Sequence, residues 1–305
     1  MSTVEFKDRV AIITGAGGGL GRSHALELAK RGVKVVVNDL GGSVDGVGGS
    51  QTMADKVVAE IEAAGGEAMA NGANVTKPDE VQAMVDAAIE RWGHVDILVN
   101  NAGILRDKSF SKMTLDDFRL VLDVHLMGSV ICTKAVWDHM KERKFGRIVM
   151  TTSSSGNYGN FGQTNYGAAK TGVIGLMNTL CLEGAKYDIR VNALSPTAAT
   201  RMTEGLMPEE ALALLTVESV TAGLVPLVCD DAPNRLIMCA GAGGYAATKV
   251  YETQGVHLSI GEQTAENVME NISKIRDGED QEEYTSGAGQ TMKFVTRAAK
   301  DAGVS

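Results

Sequence analysis

Two short runs rich in valine and isoleucine, Val10–Thr14 and Val33–Asn38, flank a helical pattern over Leu20–Arg31, and mostly glycine joins the first run to that helix. The runs are too short for helices and suit strands, whereas the segment between them repeats its apolar residues at helical spacing. Strand, glycine turn, helix and strand in this order make a βαβ unit, which pairs its strands in parallel through a right-handed crossover. The alternation continues along the chain. Helical patterns are predicted at 52–64, 79–91, about 116–143 and Asn165–Lys186, and strands at 67–70, 95–99, Arg147–Thr152, Ile189–Leu194 and Leu236–Cys239. Strands that are apolar almost throughout are buried on both faces.

The expected fold class is therefore α/β: a Rossmann-type, doubly wound parallel sheet of about seven strands with helices on both faces and a C-terminal extension. Residues 1–244 are expected to form the Rossmann-type domain and 245–305 an extension packed on or near it. Gly41–Ser50 reads as an added glycine-rich loop. The extension carries a polar helix near 264–276 and an acidic stretch, Asp277–Glu283, that suits a solvated face better than a binding site. Apolar residues make up 44% of the 305 and charged residues 22%, enough for a sizeable core. A net charge of −9 offers no basic footprint for nucleic acid or an anionic membrane surface. No run is expected to span a bilayer, and the N-terminal residues carry no stretch of signal-peptide length. The four cysteines are scattered, as in reduced, buried thiols, so a cytoplasmic protein is expected. The five histidines are dispersed, with no spacing that suits a metal.

The glycine turn reads Thr14-Gly15-Ala16-Gly17-Gly18-Gly19-Leu20-Gly21. A turn without side chains lets the backbone approach a pyrophosphate, and the helix that follows offers free N–H groups and partial positive charge. Gly15, Gly19, Leu20 and Gly21 are thus candidate cofactor contacts. Asp39 ends the second strand, where a carboxylate accepts hydrogen bonds from the adenosine ribose hydroxyls and repels a 2′-phosphate. No arginine or lysine lies at 15–19 or 38–42 to attract that phosphate, so NAD is expected rather than NADP. Asn100, Asn101 and Gly103 follow the strand at 95–99, and Asn74 and Val75 follow the one at 67–70. In a doubly wound sheet such positions border the ligand crevice.

Tyr166 and Lys170 are four residues apart and share a helix face. A phenol with a pKa near ~10 is a poor base, and an adjacent ammonium favours its phenolate. Ser153 lies at the end of the strand Arg147–Thr152, where its hydroxyl can hold a substrate oxygen while Tyr166 moves a proton and nicotinamide exchanges hydride. Taken singly, each of these residues has a plain structural reading. The ordered set does not.

The set resembles the short-chain dehydrogenase/reductase family: TGAGGGLG at 14–21, NNAG at 100–103, Ser153, YGAAK at 166–170, and Arg190-Val-Asn192 followed by Pro196. The resemblance spans residues 4–240 and implies a Ser153–Tyr166–Lys170 triad, with Pro196 and Thr200 beside the nicotinamide. It also implies a homodimer or homotetramer. The strings at 35–42, 100–110, 124–129, 158–170 and 201–210 are similar to a subgroup, the 3-hydroxyacyl-CoA dehydrogenase domains of peroxisomal multifunctional β-oxidation enzymes. That similarity implies NAD-dependent interconversion of a (3R)-3-hydroxyacyl-CoA, an acyl-CoA thioester, and its 3-oxo form. No hydratase or sterol-carrier segment follows, so a stand-alone dehydrogenase is expected. His125 stands where many family members have an asparagine that helps hold a water behind the lysine; here it either takes that role or packs beneath Lys170. Arg106 and Lys108 are candidates for CoA phosphates or plain surface charge. Leu206, Met207, Leu212, Leu214 and Leu215 form either an acyl lid or ordinary packing. The alternatives are a hydroxysteroid dehydrogenase, a 3-oxoacyl-carrier-protein reductase, and a catalytically idle NAD-binding scaffold.

Overall fold

Val10–Thr14 (β1) and Lys34–Asn38 (β2) pair in parallel, with Val10 opposite Lys34 and Thr14 opposite Asn38, and Gly19–Lys30 (α1) crosses between them. The computed structural model describes residues 4–43, 45, 46, 48, 52–199 and 208–304. The further strands are Ala68–Asn71 (β3), Ile97–Asn100 (β4), Gly146–Thr151 (β5), Ile189–Pro196 (β6), Ile237–Gly241 (β7) and Gly244–Thr248 (β8). They form one sheet in the order β3-β2-β1-β4-β5-β6-β7-β8, parallel except for the antiparallel β7–β8 pair. The order reverses between β1 and β4, the switch point at which doubly wound sheets bind ligands. The eighth strand extends the expected seven. Ala242 and Gly243, both at positive φ (49° and 76°), make the two-residue turn before it.

Alternate residues of each strand feed opposite faces. Ile13, Val35, Val37 and Val99 pack against Leu28 of α1, Ile61 of Thr52–Ala63 (α2), and Leu224 of Val217–Val228 (α9). Ile12, Val36, Leu98 and Met150 face Met84 of Pro78–Trp92 (α3) and Met177 of Thr164–Gly184 (α7). The helix expected over 116–143 is present as Leu115–Leu122 (α4) and Gly128–Arg143 (α5), joined by a π turn at Asp123–Met127. By length and composition this stretch could cross a bilayer, contrary to the sequence expectation. Here it buries Val121, Cys132, Val136 and Met140 in the protein interior. Thr114 caps its start, accepting from Asp117 N–H at 3.0 Å. Two further short helices belong to the first unit: Ser154–Tyr158 (α6) and Glu209–Leu214 (α8).

The chain divides into two compact units, 1–248 and 249–305. In the second, the expected polar helix is two pieces, Ala265–Glu270 (α10) and Ile272–Ile275 (α11), followed by Gly287–Asp301 (α12). Lys293 on α12 reaches Glu252 at 2.8 Å and the Thr253 carbonyl at 2.6 Å. The acidic stretch 277–283 is exposed throughout, as its charge requires.

Candidate active site

The glycine turn sits at the carboxyl end of β1, beside the loop that leaves β4, and Thr14 fastens the two. Its buried hydroxyl accepts from the N–H groups of Asn101 and Ala102, both at 3.0 Å. Asn101 returns two bonds from its amide, to the carbonyls of Thr14 (2.9 Å) and Gly15 (3.1 Å). Gly15 and Gly19 take positive φ, 64° and 52°. A Cβ on Gly21 would stand 2.2 Å from the Gly15 carbonyl oxygen, so only glycine lets α1 begin this close to the turn. Gly18, at the helix N-cap, has no side chain to offer the first-turn N–H groups. That is the environment a pyrophosphate needs.

Asp39 follows the end of β2 and faces the glycine turn. Its carboxylate already accepts from Gly17 N–H at 2.8 Å and Gly41 N–H at 2.7 Å. With about four acceptor sites on a carboxylate, capacity remains for ribose hydroxyls. Asn74 spends its side-chain oxygen on Thr76, and Val75 is buried against Gly128 of α5, so that loop can meet a nucleotide through its backbone. Asn100 is turned inward, donating to Thr133 at 3.2 Å. Gly103 leaves room for the His125 ring, whose Cε1 a Cβ there would meet at 2.3 Å. Asn101 therefore ties this loop to the glycine turn, and Gly103 lets it lie against the π turn. Pro196 ends β6, and Thr200, Leu206 and Met207 lie outside the described residues. Leu214 is exposed, while Leu212 and Leu215 are half-buried.

Ser153, Tyr166 and Lys170 come together. Ser153 is the N-cap of α6, in extended conformation, and its Oγ accepts from Ser155 N–H at 3.2 Å. Burial pushes the Tyr166 phenol pKa up, and the nearby Ser153 side chain offsets only part of that rise. Burial drives the Lys170 ammonium down as well, to about 7. Lys170 Nζ lies 5.5 Å from the centre of the Tyr166 ring and donates to the Thr151 carbonyl at 2.5 Å. Its own carbonyl accepts from the Thr152 hydroxyl at 2.8 Å, which ties α7 to the end of β5.

His125 lies on the π turn, buried, with its ring edge-on to Tyr166 at 5.1 Å. Its Nε2 sits 3.1 Å from the Ile104 nitrogen and 2.8 Å from the Ile104 oxygen, and burial beside Lys170 keeps the ring neutral. The ring thus packs against Tyr166 and the NNAG loop. Arg106 and Lys108 are not free cations: both pair with Asp117, at 3.2 and 3.1 Å. Asp117 stands 11 and 9 residues further along the chain. No local spacing announces that pairing, which depends on the loop folding back on α4.

The loop after the NNAG motif is zipped to the segment before Tyr166. Lys108 N–H donates to the Gly162 carbonyl at 2.9 Å. The Gln163 amide donates to Asp107 at 2.6 Å and accepts from Ser155 Oγ at 2.7 Å. Sequence reasoning misses Thr14, Gln163 and Asp117 because each acts on residues well separated from it in the chain.

The short chain dehydrogenase family matches residues 9–211. The chain belongs to this family. Peroxisomal multifunctional enzyme A of Dictyostelium discoideum is 44% identical over 297 residues, covering 97% of this chain and 66% of the relative. The full-length peroxisomal multifunctional enzyme type 2 of Drosophila melanogaster superimposes with a TM-score of 0.82 and 36% identity, over 97% of this chain and 50% of that one. This chain therefore spans about half to two thirds of these larger proteins. A 7α-hydroxysteroid dehydrogenase, solved with NADH and 7-oxo glycochenodeoxycholic acid, superimposes with a TM-score of 0.71 and 28% identity, over 79% of this chain and 95% of that one. The protein is an oxidoreductase of this family.

Proposed function

We propose that the protein oxidises (3R)-3-hydroxyacyl-CoA thioesters to 3-oxoacyl-CoA with NAD, as a step of fatty-acid or sterol side-chain β-oxidation. One observation carries this reading. Three of the strings similar to the hydroxyacyl-CoA subgroup, 100–110, 124–129 and 158–170, are far apart in the chain yet meet around Tyr166. They meet through the Ile104–His125 contact, the His125–Tyr166 ring pair, and the bonds from Lys108 to Gly162 and from Gln163 to Asp107. The likeness is thus concentrated on the wall that a substrate would touch.

Ser153 holds the substrate oxygen, and Tyr166 accepts the proton from the carbinol hydroxyl. When bound, nicotinamide supplies the hydride acceptor for the carbinol carbon. Lys170 sits beside Tyr166, held by the Thr151 carbonyl, and would donate to the nicotinamide ribose when the cofactor is bound. Gly15, Gly19, Leu20 and Gly21 would hold the pyrophosphate, Asp39 the adenosine ribose, and Pro196 would line the nicotinamide end. Asp39 favours NAD, since a 2′-phosphate would meet its negative charge. Arg106 and Lys108 share Asp117 and retain one positive charge between them, a weaker attraction for CoA phosphates than two free cations.

The test is steady-state kinetics across a 3-hydroxyacyl-CoA length series and with 17β-hydroxysteroids, each with NAD and NADP. The reading expects kcat/KM highest for a (3R)-hydroxyacyl-CoA with NAD. A preference for the steroid, or for NADP, overturns it.

A further inference from the structure

The helix that carries Ser153 at its cap is one turn long, and five residues do not hold a helix in water by themselves. α6 is therefore placed by what it touches. Thr171 on α7 donates from its hydroxyl to the Gly156 carbonyl at 2.6 Å, and Ser155 donates to Gln163 at 2.7 Å. Both bonds lie on the α7 side. A short helix held on one side can still pivot, and Ser153 Oγ moves with it, because the Ser155 N–H that orients that oxygen belongs to the same turn.

The opposite end of α6 is held by Thr248. Asn157 donates from its amide to Ser195 Oγ at 3.3 Å and Thr248 Oγ1 at 3.4 Å. The Tyr158 hydroxyl meets Thr248 Oγ1 at 3.2 Å, and Cys239 Sγ meets it at 3.1 Å. Thr248 is the last residue of β8, a strand that adds little to the core. Its other four residues, Gly244–Ala247, are exposed and Thr248 alone is half-buried. Tyr245, at the other end, bonds the Ser219 carbonyl on α9 at 2.9 Å. A strand that buries so little, yet aims its least exposed side chain at the helix capped by Ser153, is explained by that contact.

We propose that Thr248 is a positioning residue for Ser153, acting through Asn157 and Tyr158. The inference rests on the role of Ser153 given above, but not on the identity of the substrate. The experiment uses the full chain and whichever secondary alcohol or hydroxyacyl-CoA supports turnover. Thr248→Val keeps the shape and removes the hydroxyl; Thr248→Ser keeps the hydroxyl. Thr248→Val is expected to lower kcat about tenfold, part of the ~10²-fold that an ångström of misplacement can cost. NADH affinity is expected to stay within about twofold, because the glycine turn is untouched. Thr248→Ser is expected to restore most of the rate. In a Ser153→Ala background, Thr248→Val is expected to add no further loss, since the group it positions has gone. An unchanged kcat in Thr248→Val overturns the proposal, and so does an equal loss in both backgrounds. If Ser153→Ala is itself as active as wild type, the role given to Ser153 fails instead, and the two failures are told apart.

Discussion

Thr14→Val is the sharpest test of how the nucleotide crevice is held together. Valine matches threonine in shape, so packing at this buried position is preserved and only the hydroxyl is lost. That hydroxyl is the shared acceptor for the N–H groups of Asn101 and Ala102, each at 3.0 Å, and its bond to the Val99 carbonyl at 3.4 Å is weak. Both N–H groups lose their acceptor. A buried donor left unpaired costs about 1–3 kcal/mol; these two are only partly buried, so together they cost roughly 1–3 kcal/mol. That is a large share of the ~5–15 kcal/mol that stabilises a typical domain. In urea unfolding the midpoint is expected to fall with m unchanged. NADH affinity, measured by fluorescence titration, is expected to weaken about tenfold, or ~1.4 kcal/mol, as the NNAG loop moves away from the glycine turn. Thr14→Ser keeps the acceptor and loses one methyl group, at a cost of about 1 kcal/mol. If Thr14→Val unfolds within about 0.5 kcal/mol of wild type and binds NADH as tightly, the two N–H groups do not depend on Thr14 and the reasoning fails.

Tyr166→Phe is expected to lower turnover by about 10²–10⁴-fold while NADH binding persists, checked by kcat and fluorescence titration; near-normal turnover would remove Tyr166 as the proton carrier. Asp39→Ala is expected to weaken NAD and narrow the NAD-to-NADP preference in kcat/KM, and an unchanged preference counts against the ribose assignment. The buried Lys170, with its pKa pushed down from 10.5 to about 7, makes stability depend on pH. Between those two values the unfolded chain holds a proton that the folded chain has released, so stability from this group rises with pH, by at most about 1.4 kcal/mol per pH unit. Comparing urea midpoints of wild type and Lys170→Met from about pH 7 to 9.5 isolates that slope; identical slopes would show that Lys170 is not depressed. Below pH 6.5, His24, buried and with its pKa lowered to about 3, works in the same sense, as does buried His125, so the chain is expected to lose stability as pH falls through that window, less steeply once His24 is replaced.

Much of the fold could be read from the chain because its signals are local. Valine-rich runs such as Val10–Thr14, glycines where α1 meets its turn, and helical spacing over Thr164–Gly184 each depend on neighbours within a few residues. The misses have a common cause. β8 is short and exposed, so its residues show no apolar run, although Ala242-Gly243 between two short segments was an available hairpin signal. α6 is one turn, too short for periodicity. α12 opens Gly-Ala-Gly, which hides a helix held in place by Lys293 and Arg297 rather than by propensity.

The sequence by itself determined the sheet, the glycine turn and the presence of Ser153, Tyr166 and Lys170, because backbone conformation and side-chain chemistry are properties of residues and their spacing. Tertiary structure decided what those groups experience. Burial, a product of the whole packed chain, depresses the Lys170 ammonium and raises the Tyr166 phenol. Folding of the 104–109 loop onto α4 gives Arg106 and Lys108 a shared carboxylate at Asp117. The return of the chain in β8 brings Thr248 to the helix behind Ser153. Each of these depends on residues brought together across the fold, and charge, desolvation and hydrogen bonding act over ångströms in space rather than over positions in a sequence.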